Sequence, residues 1–274
     1  LLHLTKYSRR WAYDSPIFKA PISLPDFIAV SLGFELYLTK ENIASYIDGV
    51  YELTETLLIT RLLPHFSRFI DVGANVGYFT CLAAKYGKEV IAFEPSSATY
   101  SQLLKGIEKN GFNVTAHNKA VGEVAGSQDF FICDDPGRSS LVGPWDNKEK
   151  VEVVTLDQFA SPNTLIKIDV ENYEEPVLRG MQKWLQSPDR PIILIESWPP
   201  YNKAVIPTLQ QYYKIYTINP KPKHGAMPLL PIGSKGFNYL ALPADYDIFK
   251  PIDMRLFTAT DKLENLLAFA LNWK

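Results

Sequence analysis

The chain is poor in cysteine, has no long apolar run and carries almost no net charge, and each shortage removes a class of protein. Cys81 and Cys133 are the two cysteines in 274 residues, and neither belongs to a metal-spaced cluster. A disulfide framework and a structural zinc site are set aside, and free thiols in a reducing, cytoplasmic setting are expected. No apolar stretch approaches the roughly 20 residues that cross a bilayer, so no membrane span is expected. Lys and Arg number 28 against 30 Asp and Glu, a formal net charge of −2. That balance gives no general electrostatic reason to bind nucleic acid or an anionic membrane. Internal repeats and low-complexity tracts are absent too. The chain opens on Leu1-Leu2 without methionine, as a fragment would, so a native targeting signal could lie outside it.

What is present is ordinary globular material, 46% hydrophobic and 21% charged, enough for one large domain or a domain with an elaborated end. Residues 1 to about 33 are rich in aromatics and basic residues, and Pro16, Pro21 and Pro25 break any long helix, which predicts an irregular arm packed on a core. Phe34 to Leu38 alternates as a strand, and leucines 53, 57, 58, 62 and 63 form a helical face ending at Pro64. Apolar runs at 69–72, 90–93, 165–170 and 191–196 have the length and continuity of buried parallel strands. Weaker strands are expected at 114–120, 129–133 and 151–155, and two closing strands at 212–218 and 238–242. Helices are expected at 78–86 and from Ser96 or Ser97 to Asn110-Gly111. A short helix should start from a capping box at Thr155 and Gln158, one helix should present Val177, Leu178, Met181, Trp184 and Leu185, and an amphipathic helix should occupy 256–271. This alternation predicts a doubly wound α/β sheet, in which ligands sit beyond the carboxyl ends of the strands.

The stretch FIDVGANVGYF, Phe69 to Phe79, organises the rest. A buried strand that turns through Gly73 and Gly77 into a helix brings backbone close to a ligand. The next strand ends in Glu94, a carboxylate placed to accept hydrogen bonds from both hydroxyls of a ribose. The dinucleotide fingerprint fails, because Asn75 and Tyr78 stand where its second and third glycines belong, and no Gly-Lys-Ser/Thr of a P-loop follows. Asp71 leading Gly-x-x-x-Gly suits a ligand with an amino-acid end and no pyrophosphate, and S-adenosylmethionine fits that description.

Position along the strands sorts the remaining candidates. Asp169, Glu171 and Glu174 follow the strand at 165–170 and lie at the ligand edge, with Glu196 one strand over. Asp169 is the first candidate base, followed by Glu171 and His224, whereas Glu174 and Glu175 read as helix-start acids. Lys167, inside a strand, calls for a carboxylate partner. His65 falls at the wrong end of the sheet, His117 on the adenine side, and His224 in a loop that returns to the ligand edge. Trp198, Tyr201 and Trp145 could stack on a sugar or a lipophilic ring. No metal is required, although Asp169, Glu171 and Glu196 could form an oxygen-rich magnesium set.

Together GVYE at 49–52, FIDVGANVGYF, AFEP at 92–95, NKAVG at 118–122, TLDQF at 155–159 and KIDVENYE at 167–174 resemble the FkbM family of S-adenosylmethionine-dependent methyltransferases over roughly residues 49–200. The family pattern has glycine and a small residue after the acid, where this chain has Asn172 and Tyr173. The resemblance implies a class I methyltransferase fold, Rossmann-like, with a mostly parallel seven-stranded sheet and an N-terminal extension. It implies an arm over 1–48, the cofactor domain over 49–247 and a C-terminal helix over 248–274. It implies methyl transfer to a hydroxyl of a glycan, polyketide or related metabolite, with a small amine acceptor or a non-catalytic scaffold as rival readings. Carried over by residue, Glu94, Pro95 and Ser96 would hold the ribose, and Asn118, Lys119 and Ala120 would border the adenine. Asp71, Gly73, Ala74, Asn75, Gly77, Tyr78 and Phe79, with Glu52, would contact the methionine end, and Asp169 would flank the sulfonium.

Overall fold

The computed structural model describes residues 27–30, 32–39, 42–46, 50–133, 136–219 and 229–244. His224 and the helix expected at 256–271 lie outside them. Thirteen strands and seven α-helices are described: β1 Phe27–Val30, β2 Phe34–Tyr37, α1 Ile43–Tyr46, α2 Leu53–Leu62, β3 Arg68–Val72, α3 Tyr78–Lys85, β4 Glu89–Phe93, α4 Ser97–Asn110, β5 Val114–His117, β6 Ala120–Val121, β7 Gly126–Phe131, β8 Lys148–Val154, β9 Thr164–Ile168, α5 Glu174–Arg179, α6 Gln182–Gln186, β10 Ile192–Glu196, α7 Asn202–Gln210, β11 Tyr213–Ile218, β12 Leu229–Pro231 and β13 Asn238–Pro243.

The main sheet runs β12-β11-β13-β10-β9-β3-β4-β5. The five strands from β10 to β5 are parallel to their neighbours, and β13 inserts antiparallel between β10 and β11. Where seven strands are expected, eight are found. The extra one is β12, three residues paired antiparallel on the outer edge of β11, where Pro231 ends the pairing. The parallel strands read as unbroken apolar runs because both faces are covered. Phe69, Leu165, Leu194 and Leu240 pack on the α2 and α3 side. Ile70, Ile166, Ile193 and Ala241 pack on the side of α5, α6 and α7.

Three local expectations are corrected. The stretch 114–120 is split, because β5 extends the main sheet while β6 joins a separate three-stranded sheet of order β6-β8-β7. The single helix through Val177 and Leu185 is two short ones. Gly180 sits so close to the backbone of Gly122 that a Cβ there would fall 2.0 Å from its carbonyl oxygen, and the chain bends at that contact. All five predicted inward side chains are nonetheless buried. Thr155 makes no side-chain cap, and Asp157 instead accepts hydrogen bonds from the backbone N–H groups of Lys183 and Trp184 at the start of α6.

The end of the expected irregular arm is ordered as a hairpin, β1 with β2, whose turn closes through Gly33 at φ +82°. Asn110 at the end of α4 exchanges hydrogen bonds with the backbone of Glu35, at 2.9 and 2.7 Å, fixing the hairpin to that helix. Among the described residues no helix is long and apolar enough to cross a membrane.

Candidate active site

The carboxyl ends of β3, β4, β9 and β10 open into one cleft, with about 1080 Å³ of space counting its open mouth. The turn after β3 forms its floor. Gly73 and Ala74 donate to the carbonyl of Phe93 at 3.0 and 2.9 Å, and Gly73, Asn75 and Gly77 all adopt positive φ. A Cβ on Gly73 would lie 1.9 Å from the carbonyl oxygen of Asp169, so this glycine lets two strand ends meet. Gly77 does not line the cleft; a Cβ there would press on Leu103 at 2.4 Å. Both glycines therefore answer to packing as well as to any ligand.

Glu94 is buried at the end of β4, and its two carboxylate oxygens accept from the backbone N–H groups of Asn75 and Ser96, each at 2.9 Å. Burial pushes its pKa up to about 7, against those two hydrogen bonds. Each oxygen keeps a lone pair for a hydroxyl from the cleft. Ser96 itself caps α4 and does not line the cleft, and Asn118 is also set back, its side-chain amide donating to the carbonyls of Glu94 and Pro95 at 2.9 Å. Pro95, Lys119 and Ala120 reach the cleft wall. An acid with free lone pairs, a glycine turn and apolar walls of Phe93, Val121 and Phe130 suit an adenosine with an amino-acid tail.

The opposite end is a knot of charge. Asp71 and Lys167 are register partners on adjacent strands, and Lys167 is 7% exposed. Its ammonium donates to Asp169 Oδ2 at 2.8 Å and lies 4.8 Å from the centre of the Phe79 ring. Burial alone would lower the pKa of Lys167, but the carboxylates of Asp169, Glu52 and Asp71 together raise it. Asp71 accepts from Thr80 Oγ1 at 2.6 Å, and burial raises its pKa. Carboxylate oxygens of Glu52, Asp169 and Glu196 lie within 4.8 Å of one another. Glu52 thus stands where Glu171 was placed in the expected oxygen-rich set, because the turn before α2 folds over β9. Burial, with Asp169 close by, pushes Glu52 up to about 7 and Glu196 up to about 9.

Glu171 lines the cleft at φ +52° and Asn172 follows at φ +76°, so asparagine fills the left-handed position that glycine takes in the family pattern. Tyr173 lines the cleft as well, and its hydroxyl donates to Gln128 of β7 at 3.2 Å. Among the described residues, three of the five non-glycine positions at positive φ, Glu52, Asn75 and Glu171, line this one cleft, which is where backbone strain tends to be kept. Residue-by-residue reading missed Tyr46 and Tyr51, whose rings lie 4.8 Å apart and join Tyr78 and Phe79 in an aromatic wall beside Glu52. Tyr51 stands next to Glu52 in the GVYE stretch, and that adjacency was the signal available.

A doubly wound sheet with a reversed strand next to the outermost core strand, a ribose-type acid and a cleft without a pyrophosphate loop match the class I fold of S-adenosylmethionine-dependent methyltransferases. The Methyltransferase FkbM domain matches residues 71–227, more than half of the chain, and the chain belongs to that family. It is 30% identical over 166 residues to Methyltransferase 1 of Beauveria bassiana, covering 50% of this chain and 64% of the relative. It is 28% identical over 133 residues to the hexuronic acid methyltransferase AglP of Haloferax volcanii, covering 46% and 55%. The chain therefore spans less than two thirds of either relative. A solved structure of human methyltransferase 10 domain containing protein aligns with 90% of this chain and 100% of its own at 12% identity and a TM-score of 0.42.

Proposed function

We propose that this chain transfers a methyl group from S-adenosylmethionine to a hydroxyl of a glycan, polyketide or related metabolite. The observation that carries the proposal is Asp169, a carboxylate at the carboxyl end of β9, bonded to Lys167 and facing the cleft between Glu52 and Glu196. S-adenosylmethionine supplies a sulfonium methyl that is already a strong electrophile. The chain's task is alignment of an oxygen with it and removal of the hydroxyl proton. Asp169 takes that proton, with Glu171 second to it. Glu94 holds the ribose hydroxyls, Lys119 and Ala120 border the base, and the turn from Asp71 to Phe79 with Glu52 receives the amino-acid end. A relative named for a hexuronic acid points to sugars among possible acceptors.

The test is calorimetric titration with S-adenosylmethionine and its demethylated product, followed by methyl transfer to a panel of saccharides, polyketides and amines read by mass spectrometry. Saturable cofactor binding and a methylated hydroxyl are expected. Transfer only to amines would overturn the O-methyl reading, and absence of cofactor binding would overturn the enzyme.

A further inference from the structure

Glu196 has a second neighbour that the cofactor reading leaves unused. Its Oε1 accepts the indole N–H of Trp198 at 2.5 Å, and the Trp198 ring stacks on Phe237 with centroids 3.7 Å apart and planes 19° from parallel. The pair is tied from behind, since the backbone N–H of Ser197 donates to the carbonyl of Phe237 at 2.7 Å. Despite this bracing the rings stay wet, Trp198 at 44% and Phe237 at 38% exposure. Rings that serve only the core are buried; these two are held in one orientation beside the cleft and left open to solvent.

We propose that the outer face of Trp198, backed by the stacked Phe237 ring, forms the acceptor subsite, a platform for the C–H face of an uncharged pyranose whose hydroxyl reaches Asp169 past Glu196; this rests on the O-methyltransferase reading above. A sugar ring presents apolar C–H groups on its faces and hydroxyls around its edge. The platform takes the face, and the carboxyl groups of Glu196 and Asp169 take the edge. The indole is one hydrogen bond from Glu196, whose carboxylate lies within 4.8 Å of that of Asp169, so the platform adjoins the acids that take the edge.

Charge decides against a uronic acid. Among the described residues six acids line the cleft, Glu52, Asp71, Glu94, Asp169, Glu171 and Glu196, against two lysines. Lys167 already serves Asp169, and Lys119 is bonded to Glu152 at 2.6 Å. Among the described residues that line the cleft both lysines are already paired, so a carboxylate on the acceptor would find no free cation there, and this chain should differ in acceptor from its relative named for a hexuronic acid.

Saturation-transfer NMR on the protein with S-adenosylhomocysteine bound tests this with methyl β-D-glucopyranoside, methyl β-D-galactopyranoside and methyl β-D-glucuronide. Expected is transfer to the ring C–H protons of a neutral glycoside and little to the glucuronide. W198A and F237A should reduce it about ten-fold, W198F should largely restore it, and cofactor affinity by calorimetry should be unchanged. The exposure of both rings makes the variants foldable, and cofactor binding reports that they are folded. Undiminished transfer in W198A, a glucuronide that binds as well as the neutral sugars, or no saturation transfer from the cofactor-bound wild type to any glycoside would each overturn the platform and leave the methyltransferase reading standing. A wild-type protein that binds no cofactor would overturn both.

Discussion

At the scale of single residues, the roles proposed for Glu94 and Asp169 separate binding from chemistry. Removing the Glu94 carboxylate takes away two hydroxyl acceptors and also leaves the N–H groups of Asn75 and Ser96 without their partner. At about 1.5–3 kcal/mol for a hydrogen bond to a charged group, Glu94→Ala should weaken S-adenosylmethionine by about 10- to 100-fold or more in titration. Asp169→Asn keeps the shape but removes the proposed base, so methyl transfer should fall about 10²–10⁴-fold while cofactor affinity changes little. Both residues were legible in the sequence because each stands at the end of an apolar run, and strand ends are where a doubly wound sheet places its ligands. Tyr46 and Glu196 illustrate what was less legible. Tyr46 lies in an isolated turn whose approach to the cleft depends on how α1 and α2 fold over the sheet, and no local pattern encodes that. Glu196 was placed at the ligand edge, but its approach to Glu52, 144 positions away, follows only from the packing of α2 against neighbouring strands.

At the scale of elements, the tightest joint is between the turn after β3 and the end of β9. Gly73 at φ +83° cannot accept a side chain without both backbone strain and collision with the Asp169 carbonyl. Gly73→Ala should lower stability by at least about 1–3 kcal/mol in chemical denaturation and should weaken cofactor binding with it. Gly77→Ala meets only the end of the Leu103 side chain and should cost less, though its φ of +92° still carries strain. Buried strands and capped helices such as α4 were readable because period and caps agree. The break at Gly180 was not, because its cause is the backbone of Gly122, far away in sequence. The third sheet strand was drawn too long for a similar reason: two sheets share the stretch from Val114 to Val121, and nothing in its composition marks the crossing.

At the scale of the whole molecule, the buried acids set an unusual pH dependence. Burial raises Glu52, Glu94 and Glu174 to about 7 and Glu196 to about 9, against an ordinary glutamate value of 4.5. Each folded-state pKa lies above its unfolded value, so between 4.5 and the raised value the folded chain binds more protons than the unfolded one. Stability is then lost as pH rises through that window, the reverse of a salt-bridged carboxylate. The melting temperature of the cofactor-free protein should therefore climb as pH is lowered from about 9 towards 7, as read by differential scanning calorimetry at several pH values. Lys167 acts at the alkaline end with the same sign: its raised pKa contributes stability that is fully present below 10.5 and is lost as pH rises above it.

The contact between Gly73 and the Asp169 carbonyl has a consequence for how such a protein can change its partners over time. The loop proposed to carry the methyl donor and the residue proposed to accept the proton are welded into a single part, with no room for even one methyl group between them. Neither can drift without the other, so the reaction is inherited whole. New acceptors must be reached by remodelling what surrounds that part, the β6–β8 sheet and the segments bearing Trp198 and Phe237. Grafting those segments between relatives is the economical way to exchange substrates while leaving the chemistry untouched.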